Sequence, residues 1–423
     1  MIVDFATRTI RRILVGKEQR VVFTKKENIA IPPLSQIDLY IHIPFCRNKC
    51  PYCPYNRIDY DVNLVGPYTR AVLSEIEQYF LRLGKIKISS IYIGGGTPTT
   101  VIDELGVIIK SIREKFAITG DICIETTAGD LNEDIMRKLK DFGVDLISIG
   151  VQSFDDAFLK ILGRNYDAAK ACSAVNIALS SNFRSVNIDL MFALPGQNIA
   201  NVLDDLNEAL KIGANQVTTY PLFTFPYSSV GRYLKIRKVK MPGIFRLRKM
   251  YKEIHNFFTQ NGYQRVSVWG FKKGGSPRFS SVTRDTYIGI GAGAGSRLPD
   301  VFYLNTFSVK DYIEATLTGR LPIALAMDMT PKLIKYYWLY WRFYDTCIDS
   351  QQLCGKFGKD VKLKLMFSLA KLLGLAKENG NQIELTERGA FYIHLLQNHF
   401  ILNYIDRVWS AAMKESWPDK IEI

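Results

Sequence analysis

The stretch Tyr40-Ile41-His42-Ile43-Pro44-Phe45-Cys46-Arg47-Asn48-Lys49-Cys50-Pro51-Tyr52-Cys53 puts three thiols within eight residues, directly behind an apolar run. Pro44 ends that run and opens a loop with C-x3-C-x2-C spacing. Thiolates are the usual ligands of iron–sulfur clusters. Three on one short loop can each take one iron of a [4Fe–4S] cubane. The fourth iron then has no protein ligand, and an open position is what a metal needs to bind a reactant. The competing reading is a structural zinc site, which needs a fourth tetrahedral ligand; His42, on the preceding strand, is the only nearby candidate.

Working outward, the chain alternates strand and helix signals. Apolar, β-branched runs occur at 37–43, 88–93, 122–125, 146–149, 186–190 and 216–220. Helical patterns lie between them, at 67–83, 102–116, 133–142, 167–180 and 201–212. Such alternation predicts an α/β fold with parallel strands and right-handed crossovers. Six units fall short of a complete eight-fold barrel, so the expectation is a partial (β/α)6 barrel with its site at the strand C-termini. We divide the chain into an N-terminal arm (1–36), this core (37–220), an extension rich in aromatics, Gly and basic residues (221–330), and a small, mainly helical, winged-helix-like C-terminal domain (331–423). Within the last, 332–344 and 361–373 read as helices. A short strand at 382–385 leads into a helix capped near Thr386.

Composition sets the remaining bounds. The 423 residues are 47% apolar and 23% charged, as in a globular protein, and no apolar run is long enough to span a bilayer. No signal peptide is evident, so the expected location is cytoplasmic. Four further cysteines, Cys123, Cys172, Cys347 and Cys354, are scattered and read as small apolar fillers. The net charge of +14 favours an anionic partner. Basic residues from Arg232 to Lys252 run uninterrupted by acids and could form an anion-attracting rim. No aromatic-rich nucleic-acid signature accompanies them, so nucleic acid is not expected. Apolar positions Ile2, Phe5, Ile10, Ile13 and Leu14 fit an amphipathic N-terminal helix that packs on the body or touches a membrane surface.

The cysteine loop resembles that of the radical S-adenosylmethionine (SAM) superfamily, and more narrowly its oxygen-independent coproporphyrinogen III oxidase-like family. That family also holds haem chaperones, haem-degrading enzymes and radical methyltransferases. The resemblance covers about residues 37–300. Gly94-Gly95-Gly96-Thr97-Pro98 resembles the glycine motif that binds the methionine part of SAM. Glu125, Gln152, Arg164 and Asp189, each at or just past a strand end, match SAM-contacting positions. Tyr52 joins them, and Tyr40 matches a tyrosine near the sulfonium. The resemblance implies reductive SAM cleavage at a cluster held by Cys46, Cys50 and Cys53, fed by a flavodoxin- or ferredoxin-type donor.

The sequence also departs from its resemblance. Tyr55 stands where the oxidases carry a fourth Cys. Phe279-Ser-Ser-Val-Thr-Arg284-Asp285 lacks the His-Asn pair of the chaperones. Thr126-Thr127-Ala128-Gly129 replaces the usual Asn-Pro after Glu125, and Leu146 replaces an Arg. The leading expectation is therefore methylation, or another C–H functionalisation, of a flat conjugated substrate such as a tetrapyrrole or quinone. In the methyltransferase branch a second SAM supplies the methyl group. Coproporphyrinogen III decarboxylation and haem carriage are the alternatives.

Overall fold

The computed structural model describes residues 21–26, 29–225, 228, 241–280 and 285–423. The amphipathic N-terminal pattern and the basic positions from Arg232 to Lys240 lie outside them.

After Val22–Thr24 (β1), the chain builds six strands: Gln36–Ile43 (β2), Lys87–Gly95 (β3), Ile122–Thr127 (β4), Leu146–Gln152 (β5), Ser185–Phe192 (β6) and Gln216–Pro221 (β7). They lie side by side in that order, and each neighbouring pair is parallel. Helices Val62–Leu83 (α1), Ile102–Lys115 (α2), Glu133–Asp141 (α3), Ala168–Ser180 (α4) and Ile199–Ile212 (α5) connect them. Helix α1 starts five residues before its sequence signal. The Asp61 side chain caps Asn63 N, and Pro67 lies in the second turn, where it leaves the Asn63 carbonyl without an intrahelical donor.

The sheet continues past both sides of this core. Tyr263–Arg265 (β8) and Gly270–Lys273 (β9) extend it antiparallel beyond β7. On the other side Tyr287–Ile290 (β10) runs parallel to β2. Gly295–Leu298 (β11), Val301–Asn305 (β12), Ile323–Asp328 (β13) and β1 follow antiparallel. The two ends of the order do not pair, so the sheet stays an open, partial barrel.

The period-2 alternation of the strands separates two environments. Ile41, Ile91, Ile93, Ile124, Ile147, Ile149, Ile188 and Val217 are fully buried in the main apolar core, which they share with residues of the connecting helices. Tyr40, Tyr92, Glu125, Ser148, Asp189 and Tyr220 take the alternate positions. In parallel strands covered on both faces the sequence should be continuously apolar. Polar and aromatic residues at alternate positions therefore mark a face that borders a cavity.

Helix Ile244–Gln260 (α6) precedes β8, and Val309–Leu317 (α7) lies between β12 and β13. The C-terminal unit runs Pro331–Tyr344 (α8), Cys347–Asp349 (β14), Ser350–Phe357 (α9), Val361–Leu372 (α10), Ala376–Asn379 (β15), Gln382–Leu385 (β16) and Glu387–Phe400 (α11). Its three strands form a separate sheet in the order β14-β16-β15, a winged-helix-like arrangement. Thr386 caps α11 through Gly389 N. After Asp406–Ala412 (α12), strand Lys420–Glu422 (β17) returns to pair with β1 in the main sheet.

The scattered cysteines differ from the sequence expectation. Cys123 is a buried filler on β4. Cys172 and Cys347 are half-buried, and Cys354 is exposed on α9, which buries no residue.

Candidate functional site

The cysteine loop leaves the C-terminal end of β2 and is fixed by backbone and side-chain bonds. Ile58 N donates to Pro44 O and Tyr60 N to Cys46 O, both close to 2.9 Å (2.8 and 2.9 Å). Arg57 Nη2 donates to the carbonyls of Cys50 (2.5 Å) and Cys53 (3.2 Å). Cys46 Sγ lies 3.6 Å from Thr97 Oγ1. Burial pushes the Cys46 thiol up to about 11, and burial raises Cys53 too, with Arg57 pulling the other way.

His42 is committed elsewhere. Its Nε2 is 2.8 Å from the Asn56 carbonyl and its Nδ1 is 2.8 Å from the Tyr40 hydroxyl. A carbonyl only accepts, so Nε2 carries the proton and Nδ1 accepts from Tyr40. Burial lowers the imidazole to about 4, which keeps it neutral. With both ring nitrogens occupied, His42 is not free to complete a zinc site. Among the described residues no three His, Cys, Asp or Glu side chains gather around a single ion. A cubane needs no such convergence, since each thiolate serves a different iron.

The glycines after β3 serve two close approaches. A Cβ on Gly94 would stand 2.6 Å from Glu125 Oε2. A Cβ on Gly96 would stand 2.7 Å from the Phe45 carbonyl. Gly96 N and Thr97 N donate to the carbonyls of Ile43 (2.7 Å) and Phe45 (2.8 Å). The sequence motif thus seats the cysteine loop and lets the Glu125 carboxylate close on β3.

Below the loop, the strand ends bring together the polar residues singled out in the sequence. Tyr92 donates to Glu125 Oε1, and burial raises the Glu125 carboxyl. Asp189 accepts from Ser148 Oγ (3.2 Å) and Asn187 Nδ2 (2.9 Å). Burial, then the Glu125 charge, push Asp189 up to about 7. Arg164 donates to Tyr52 Oη (2.6 Å) and Thr127 Oγ1 (3.1 Å), while its Nε has no partner among the described residues. Gln152 accepts from Tyr220 Oη at 2.8 Å and holds φ at 74°. A buried, non-glycine residue in that region is strained, and such strain concentrates at functional sites.

Sequence reasoning missed Arg57, Tyr92, Ser148, Asn187 and Tyr220. All but Arg57 carry a readable signal: a polar or aromatic residue at every second place of an otherwise apolar parallel strand. It also missed Arg297 on β11, which pairs in register with Tyr287. Arg297 is 4% exposed, and its Nε and Nη1 have no hydrogen-bond partner among the described residues. The Tyr337 ring of α8 lies 5.4 Å from its guanidinium. Tyr287 clusters with Tyr92 and Tyr40, so Arg297 belongs to the cavity side of the sheet. Tyr55, at the fourth-cysteine position, is half-exposed, with its ring 6.4 Å from that of Trp409.

Comparison with known proteins agrees with this arrangement. The radical SAM superfamily profile matches residues 40–209. The haem chaperone HemW of Haemophilus influenzae is 31% identical over 283 residues, covering 63% of this chain and 72% of that protein. The oxygen-independent coproporphyrinogen III oxidase of Bradyrhizobium diazoefficiens is 25% identical over 324 residues, 71% of each chain. The structure of coproporphyrinogen III oxidase (HemN) from Escherichia coli superposes with a TM-score of 0.76 at 22% identity, over 90% of this chain and 95% of that one. An open sheet with a parallel core and a three-thiol loop at the C-terminal edge of that core is the arrangement of a radical SAM fold. The chain belongs to the radical SAM superfamily, in the family of HemW and the oxygen-independent coproporphyrinogen III oxidases.

Membership implies a [4Fe–4S] cluster and SAM, and the residues fit both. Three thiols share one braced loop. Two half-buried carboxylates, Glu125 and Asp189, lie on the inner face of the sheet, where a cationic sulfonium and ammonium would relieve their repulsion. The relatives are haem chaperones, an anaerobilin synthase and an oxidase. They give methyl transfer and a second SAM no support, and the two alternative readings fit better. No helix among the described residues is long and apolar enough to cross a membrane.

Proposed function

We propose that the chain is an enzyme that cleaves SAM and takes a hydrogen atom from a carboxylate-bearing tetrapyrrole, the first step of an oxidative decarboxylation. The observation that carries this reading is the inner wall of the sheet: the half-buried carboxylates Glu125 and Asp189 near the cysteine loop, and, further along the same face, tyrosines with Arg297, whose Nε and Nη1 have no hydrogen-bond partner among the described residues. The first set suits a cation such as SAM. The second suits the pyrrole rings of a tetrapyrrole that carries an acidic side chain.

Cys46, Cys50 and Cys53 would hold the cluster, which supplies the electron that splits SAM into methionine and a 5′-deoxyadenosyl radical. A flavodoxin- or ferredoxin-type protein would be the donor. The Gly94–Thr97 backbone, Glu125, Gln152, Arg164 and Asp189 would orient SAM, with Tyr52 held in place by Arg164. Tyr40 would face the sulfonium, oriented by the bond its hydroxyl donates to His42 Nδ1. Arg297 would hold a substrate carboxylate. The substrate loses a hydrogen atom, carbon dioxide and one further electron, the last to a one-electron acceptor.

A haem carrier that retains the cluster is the second reading, favoured by the name of the HemW relative. The missing His-Asn pair after Phe279 and the complete set of strand-end polar residues favour turnover. Anaerobic incubation of the reconstituted protein with SAM, reductant and coproporphyrinogen III tests the choice. The enzyme reading predicts 5′-deoxyadenosine and carbon dioxide. Tight haem binding with neither product would replace it by the carrier.

A further inference from the structure

Helix α10, Val361–Leu372, turns its apolar side outward. Only Leu363 and Phe367 are buried, and they anchor the helix to the C-terminal unit. The opposite face exposes Val361 (80%), Leu365 (70%), Leu369 (52%) and Leu372 (83%), which recur at helical spacing. Met366 and Leu373 widen the stripe. The sequence periodicity was that of an amphipathic helix, but the longer apolar stripe is the one left in the open. A contiguous exposed patch of this kind marks an interaction surface.

The charges around the stripe select the partner. Lys356, Lys359, Lys362 and Lys364 form no ion pair among the described residues, while Lys371, near the end of the stripe, is paired with Glu378. The one acid between Lys356 and Lys377, Asp360, is taken by Lys335. Aliphatic side chains bordered by unpaired lysines repel a second copy of the same face. They match an anionic lipid surface, where the chains enter the acyl boundary and the ammonium groups reach the phosphates. We propose that α10 docks the protein on anionic membranes, lying in the interface with Val361, Leu365, Leu369 and Leu372 inserted. The sequence expectation of a membrane contact had fallen on the N-terminal segment instead.

The test is co-sedimentation of the full chain with vesicles of phosphatidylcholine alone and of phosphatidylcholine with phosphatidylglycerol. The proposal predicts binding to the mixed vesicles, weakened by salt, and loss of about tenfold or more in affinity for Leu365→Asp with Leu372→Asp. Lys362→Glu with Lys364→Glu should weaken binding to the mixed vesicles selectively. All four positions are exposed, and unchanged circular dichroism and melting would show that the variants fold. Equal binding to both vesicles, or no effect of the leucine pair, overturns the proposal. So does a wild-type dimer that the leucine pair converts to monomer without any vesicle binding.

Discussion

The Tyr40 hydroxyl donates to Nδ1 of His42 at 2.8 Å, and that bond fixes the tautomer of a histidine whose other nitrogen holds the Asn56 carbonyl. Asn56 in turn donates to the carbonyls of Ala292 and Phe307. One hydrogen-bonded chain therefore runs from the cavity through the exit of the cysteine loop to the extension. Replacing His42 with Phe leaves a buried hydroxyl and a buried carbonyl without partners, at about 1–3 kcal/mol each. Denaturant unfolding should show a loss in that range, with SAM cleavage reduced alongside it.

Arg57 braces the cluster loop through the Cys50 and Cys53 carbonyls. Bonds from a charged donor contribute about 1.5–3 kcal/mol. Arg57→Met should lower iron per chain after reconstitution and speed cluster loss in air, and Arg57→Lys should restore part of it. Iron content equal to that of the wild type in Arg57→Met would remove this role.

Gln152 separates stability from ligand binding. Its left-handed backbone costs on the order of 1–3 kcal/mol, which glycine avoids. Gln152→Gly should therefore keep or raise the melting temperature while the KM for SAM rises. A variant that melts lower with an unchanged KM would mark a purely structural residue.

Asp189 sets a pH dependence with a definite sign. Its folded carboxyl titrates at about 7, above the ordinary 3.8, so the folded chain holds a proton that the unfolded chain has released. Its contribution to stability is full below pH 3.8 and is lost as pH rises toward 7. Asp189→Asn should flatten the fall in stability between pH 4 and pH 7, read by thermal melts without ligand. SAM, as a cation, should raise the melting temperature of the wild type more at pH 8 than at pH 6.

Arg297 tests the substrate assignment. Arg297→Met should raise KM for coproporphyrinogen III by about 10–100-fold, the worth of a charge-assisted bond. Substrate-free SAM cleavage should stay close to wild type. Stability should hold or increase, because a buried charge with two unsatisfied nitrogens has been removed.

The sequence made the parallel core legible because each strand is apolar, β-branched and bounded by turn residues. The cysteine loop and Glu125, Gln152, Arg164 and Asp189 were legible from spacing and resemblance. Arg297 was not, since nothing local to β11 says that it pairs with β10, which lies against β2. The outward face of α10 was hidden for a related reason. Periodicity finds an apolar stripe but does not say which of two stripes the fold covers. Tyr55 was read by what it replaces, and its place beside Trp409 depends on the chain returning from far along the sequence.

The most direct test of the account is product analysis of the anaerobically reconstituted chain with SAM, dithionite and coproporphyrinogen III. The account predicts about four irons per chain and formation of 5′-deoxyadenosine, both abolished in Cys50→Ala. An intact four-iron cluster that leaves SAM uncleaved in the presence of the tetrapyrrole would contradict it.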